Sequence, residues 1–280
     1  PEINFDTNLF SNDTLGNLDL QSNFKIHNFD TNKTEKFLVN DFDWNFKTIN
    51  HNNGIKSKLN AKIKNVNYEA TNVDKLKEDH TNELFGAFGY SARVELEKVD
   101  SEFFKSFLTP KFLLRYAPGS MRKELSGSRI NPLDIYSLDR LNNTNNFESG
   151  LSATLGFDYK ILGKEKEFNL SIGQIINEKE NKNMPSVTSL DDKLSDLVGT
   201  SSLKLNEKLN FDYNFSIDQN YSDLNYSEIA STLNLDLLKI DFNYLKEMKH
   251  IGNDEYLKTK IAFLQNNKEF SLEAKRNLIT

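Results

Sequence analysis

Arg115, Arg122, Arg129, Asp139, Arg140 and Glu148 crowd into one polar stretch between two apolar runs. Guanidinium and carboxylate groups form charge-assisted, often bidentate hydrogen bonds, and such pairs tolerate partial burial. The chemistry they suggest is charge pairing inside a wet cavity. Leu133, Ile135, Tyr136 and Leu138 lie in the same stretch and offer apolar surface to dock. Connectors this long are uncommon and often functional. The 117–147 connector is therefore expected to fold inward, the alternative being a disordered external loop.

Catalytic chemistry finds little support. The four histidines are His27, His51, His80 and His250, and no pair has metal-ligand spacing. There is no H-E-x-x-H, no G-x-S-x-G elbow and no phosphate-cradling glycine loop. Asp79-His80 could be half of an acid/base site on a rim, and reads equally well as a solvated loop. No catalytic, cofactor or metal residue is expected, and the chain reads as a non-enzyme. The absence of cysteine removes disulfides, thiolate metal sites and cysteine nucleophiles from these 280 residues. A net charge of -6 implies no nucleic-acid partner. Lys56, Lys58, Lys62 and Lys64 share one strand face, either to attract anionic solutes or as ordinary lumen polarity.

The elements that must position these residues are strands. No stretch approaches the ~18–20 consecutive apolar residues of a membrane helix, whereas a membrane β-barrel needs only every second residue to be apolar. The 21 Phe and 10 Tyr favour strands over disorder. Leu209, Phe211, Tyr213, Phe215 and Ile217 interleave with polar residues. Leu151, Ala153, Leu155, Phe157, Tyr159 and Ile161 do the same, as do Phe42, Trp44 and Phe46. About fourteen such runs are predicted, at 1–10, 16–28, 36–49, 54–69, 83–98, 106–117, 148–161, 167–177, 199–206, 208–218, 226–238, 239–248, 254–265 and 268–280.

Many runs reach ~9–12 residues, enough to cross a bilayer at a tilt. Long connectors near 70–82, 117–147 and 178–198 follow even-numbered runs. The joints at Asn53-Gly54, Gly163-Lys164, Glu207, Leu238-Lys239 and Asn266-Asn267 are tight, and Asn53-Gly54 suggests a type I′ hairpin. The expected fold is all-β: an antiparallel up-and-down transmembrane β-barrel, incomplete over 1–280, with about fourteen strands of a larger barrel. A secreted β-sandwich adhesin and a general porin or receptor barrel are the alternatives, since alternation alone gives any sheet one apolar face.

Several pieces of the chain are similar to a known family. They are Leu-Thr-Pro-Lys at 108–111, Leu-Arg-Tyr-Ala-Pro-Gly at 114–119, Met-Arg at 121–122 and Ile-Tyr-Ser-Leu-Asp-Arg-Leu-Asn at 135–142. Phe-Glu-Ser-Gly at 147–150, Thr-Leu-Gly-Phe-Asp-Tyr at 154–159, Gly-Gln-Ile at 173–175 and Lys-Arg-Asn-Leu-Ile-Thr at 275–280 follow in order. Together they resemble the outer-membrane LPS-assembly protein LptD, or organic solvent tolerance family, in its alphaproteobacterial form. The resemblance implies a barrel in the cell outer membrane that translocates lipopolysaccharide and inserts it into the outer leaflet. It implies an LptE-like lipoprotein plug in the lumen and an LptA-like periplasmic bridge reached through a domain upstream. The family's lateral seam and its cysteines are not in this segment. The 117–147 connector would fold into the lumen, making Arg115, Arg122, Asp139, Arg140 and Glu148 candidate contacts for saccharide and phosphate groups.

Overall fold

The computed structural model describes residues 1–279 except 30–31, 75, 102–103, 142, 249–251 and 266–267. The joint expected at Asn266-Asn267 and His250 therefore lie outside the described residues, as does Asn142 of the Ser-Leu-Asp-Arg-Leu-Asn stretch. The first strands are β1 (Glu2–Asn12), β2 (Gly16–Phe29), β3 (Lys33–Asn45), β4 (Ile49–Asn50) and β5 (Ile55–Thr71). Then come β6 (Thr81–Val94), β7 (Leu96–Ser101), β8 (Phe104–Ala117), β9 (Gly150–Leu162), β10 (Glu167–Asn177) and β11 (Leu197–Lys204). The chain closes with β12 (Leu209–Ile217), β13 (Leu224–Asn234), β14 (Leu238–Glu247), β15 (Asp254–Gln265) and β16 (Lys268–Asn277).

All sixteen belong to one antiparallel up-and-down sheet with β1 and β16 at its open edges. The main path has fourteen strands, because β4 continues β3 against β5, and β7 continues β6 against β8. Each predicted run finds its strand on this path. Two runs are interrupted. Residues 46–48 fall between β3 and β4, although Phe46 N–H still donates to Leu59 O at 3.2 Å and its ring stacks on Trp44 at 4.3 Å between centroids. Glu95 separates β6 from β7, its carboxylate drawn to Lys56 at 2.6 Å and Arg93 at 3.3 Å.

The turn at Asn53-Gly54 also differs from expectation. Gly54 takes φ 84 while Asn53 keeps an ordinary φ, so the turn is not type I′. Gly54 N–H donates to His51 O at 3.0 Å and His51 N–H to Ile55 O at 2.8 Å. That is a type I turn closed by a glycine bulge, the usual three-residue hairpin. Connections after odd-numbered strands of the path are short, at 13–15, 163–166, 205–208 and 235–237. The long ones, at 72–80, 118–149 and 178–196, all lie at the opposite end.

The two faces of the sheet differ sharply. Register aligns Leu18, Trp44, Ala61, Phe88, Tyr116 and Leu151 in one row across six strands. The row one residue along holds Asn17, Asn45, Asn60, Gly89, Arg115 and Ser152. On the first face Phe88 is 61% and Tyr116 52% exposed, whereas Arg115 on the second is 0% exposed. A soluble sandwich hides its apolar face and shows its polar one. Here the apolar face is bare and the polar face is covered.

Candidate functional site

What covers the polar face is the 118–149 connector, helped by 178–196. Its core joins Met121, Ile130, Ile135 and Leu141 from the first connector to Met184 and Leu190 from the second and to Ile175 and Val198 on the wall. The two connectors are also tied through backbone: Glu124 N–H donates to Asn183 O at 2.9 Å, and Asn183 Nδ2 to Met121 O at 3.2 Å. Thr154 of β9 donates its hydroxyl to Ile135 O at 3.0 Å. Single 3₁₀ turns at Asp134–Tyr136 and Ser186–Thr188 supply the local curvature.

Glycines in the strands make room for this docking. A Cβ at Gly173 would overlap Ile135 Cδ1, and one at Gly156 would overlap the Tyr136 hydroxyl. Gly156 and Gly173 are register partners, so together they leave a shallow gap in the wall beneath the 3₁₀ turn. A Cβ at Gly89 would likewise stand 2.5 Å from Leu138 Cδ2. Glycine inside a strand weakens the strand but permits such close approach.

Charge pairs then fix the connector. Strand alternation turns Leu114 and Tyr116 to the bare face and Arg115 to the covered one. Arg115 Nε donates to Leu138 O at 2.8 Å and Nη2 to Glu148 O at 2.5 Å. Arg140 Nε donates to Glu148 Oε2 at 2.8 Å, its Nη2 donates to Glu148 Oε1, and Nη2 also reaches Ser152 Oγ at 2.9 Å. Arg115 Nη1 adds an ion pair to the same carboxylate at 3.7 Å. Burial alone would raise the Glu148 pKa, but Arg115 and Arg140 outweigh it and hold the carboxyl below its ordinary value of 4.5.

The remaining candidates bind the connector at separate points. Lys64 of β5 is 2% exposed and donates to Asp139 Oδ2 at 3.0 Å and Asn143 O at 2.6 Å. Arg122 forms an ion pair with Glu83 of β6, donates to Asn145 O, and lies over the Tyr68 ring at 5.3 Å. Arg129 pairs with Glu247 of β14 at 2.5 Å and covers the Tyr226 ring at 3.3 Å. The connector thus spans the polar face from β5 to β14.

Arg115, Arg140 and Glu148 form one network, with Asp139 and Arg122 in neighbouring ones. Each is bound by wall or connector atoms, so the arrangement is a set of latches. The expected basic row is largely paired: Lys56 with Glu95 at 2.6 Å, Lys62 with Asp43 at 2.8 Å, and Lys64 with Asp139. His51 shares a hydrogen bond with Ser57 at 2.7 Å, and the His27 ring lies against Phe29 at 4.0 Å. Sequence reasoning missed the wall partners Glu83, Glu247, Tyr68 and Tyr226 and the glycines 89, 156 and 173. The glycines had a readable signal, being isolated inside alternating strands.

No helix among the described residues is long and apolar enough to cross a membrane, which says nothing about strands. No curated protein matches the chain. The family described as LptD, LPS transport system D, matches residues 1–275. With nearly all of its length matched, the chain belongs to the LptD family of the LPS transport system.

Proposed function

We propose that this chain is a stretch of outer-membrane barrel wall, with its lumenal connector, in the translocation of lipopolysaccharide and its insertion into the outer leaflet. The single observation that carries this reading is the inverted sheet: a bare apolar face and a polar face covered by a latched connector. Exposed apolar surface of that extent is costly in water and favourable against lipid. The polar face then lines a hydrated lumen along which saccharides pass.

In this reading Arg115, Arg122, Asp139, Arg140 and Glu148 act at the lumen mainly by holding the 118–149 connector, which sets how wide the passage is. Work of transport comes from elsewhere. An LptE-like lipoprotein would complete the plug and an LptA-like bridge would deliver substrate to the rest of the barrel. The family match favours this over a general porin.

The test is depletion of the whole protein in its native cell, with surface labelling of newly made lipopolysaccharide. Loss of surface lipopolysaccharide with small-solute uptake unchanged is the expected result. The reverse pattern would return the chain to the porin class.

A further inference from the structure

On the polar face, the sheet register sets three cations in a row on adjacent strands. Lys56 of β5 pairs with Arg93 of β6, and Arg93 with Lys111 of β8. Like charges placed directly opposite each other across strands are destabilising. Lys58, the next residue of β5 on the same face, adds a fourth. These four line one cavity of about 310 Å³, roofed by the connector through Tyr136. Among the described residues the cavity lining contains no carboxylate.

Neighbouring acids do not balance the charge. Glu95 serves both Lys56 and Arg93, at 2.6 and 3.3 Å, and Asp158 pairs with Lys111. Lys58 Nζ donates to the neutral amide oxygen of Asn45 at 3.0 Å. Two further polar groups of the lining, Asn60 Oδ1 and the Tyr136 hydroxyl, are buried without a hydrogen-bond partner. Both atoms are closed off from the cavity, the Tyr136 hydroxyl in the gap at Gly156 and Gly173, so what the site offers a ligand is its surplus positive charge.

We propose that this cavity is a binding site for a phosphorylated saccharide, the anionic part of lipopolysaccharide, on its way through the lumen. The inference rests on the conduit reading and deepens it by giving the substrate a specific stop. Phosphate oxygens take the Lys58, Arg93 and Lys111 donors, as charge-assisted bonds favour. The cavity lies toward the short turn at 51–54, beneath Pro132, Leu133 and Tyr136 of the connector.

The experiment uses the whole protein in its native membrane, with the photo-crosslinking residue p-benzoylphenylalanine placed at Ser91, in the cavity, or at Ala230, on the same face but on β13. Native lipopolysaccharide is compared with lipopolysaccharide stripped of phosphate, and free inorganic phosphate is added as competitor. Each is repeated in Lys58→Gln and Arg93→Gln backgrounds. The expected result is a crosslink at Ser91 that falls by about tenfold with either substitution, as loss of one charge-assisted bond predicts, and further with phosphate removal, which takes away every such bond. The Ala230 crosslink should change little. Excess free phosphate should weaken the Ser91 crosslink only partially; its abolition would make the site a free-phosphate site and overturn the proposal. A Ser91 crosslink indifferent to all these changes, or absent while Ala230 crosslinks, would overturn the site alone. Absence at both positions would overturn the conduit reading and the site with it.

Discussion

Arg140 and Glu148, eight residues apart, meet as a bidentate pair with essentially no solvent on either side chain, at 0% and 4% exposure. Arg115 of the wall donates to the backbone carbonyl of the same Glu148. The connector is thus closed on itself and fastened to β8 through one residue.

Removing the carboxylate should open the latch. A Glu148→Gln substitution leaves two buried guanidinium groups facing a neutral amide, and breaking such a pair costs about 3–5 kcal/mol. Tryptic cleavage after Arg122, Lys123 or Arg129 follows the population of the open connector, so its rate should rise by about a hundredfold or more. Limited proteolysis in membranes reads this directly. Unchanged cleavage would mean that the network does not hold the connector.

The glycine gap should be testable by overfilling it. Gly173→Ala puts a methyl into the space of Ile135 Cδ1, at about 1–3 kcal/mol. Ile135→Val removes that same atom and by itself costs about 0.5–1.5 kcal/mol. Combined, the two should cost clearly less than their sum in denaturant titrations of the refolded protein. Simple additivity would show that the overlap is relieved elsewhere.

Acid should release the connector late and through Glu148. Its folded pKa lies below 4.5, the ordinary value. A depressed carboxyl pKa stabilises the folded form fully above the unfolded value, and that stabilisation is lost as pH falls through the folded one. Hydrogen exchange over 118–149, corrected for intrinsic rates, should stay slow from about pH 7 to 5 and accelerate only below about 4.5. The same profile in Glu148→Gln should be flat in that window.

Much of the fold was legible because strand alternation is a strong signal when both faces are specified. Fourteen runs, the side each residue faces, and the segregation of long connectors all followed from it. The interruption at Glu95 did not, because Val94 and Leu96 keep the alternation through it, whereas at 46–48 the phase does slip between Phe46 and Ile49. Asn53 tolerates positive φ without adopting it, so the turn type was misread. For the site, the crowding of Arg, Asp and Glu identified the connector, and its apolar residues indicated docking. Strand parity places Lys64, Glu83 and Glu247 on the polar face, but which connector atom reaches each depends on a loop path that has no period. The cationic row was equally hidden: Lys56, Arg93 and Lys111 become neighbours only through register.

The central claim, that the bare apolar face meets lipid, can be read from Trp44, the single tryptophan of these 280 residues. Its ring lies on that face between Phe10 and Phe46, and its indole N–H donates to Leu15 O at 2.9 Å, near the short-turn end. Such a position suits the membrane interface. The measurement is the emission of the whole protein in bilayers minus that of Trp44→Phe, with acyl chains brominated near the headgroups or with aqueous iodide. Strong quenching by the brominated lipid and little by iodide is the predicted result. Quenching by iodide alone would put this face in water and contradict the barrel wall.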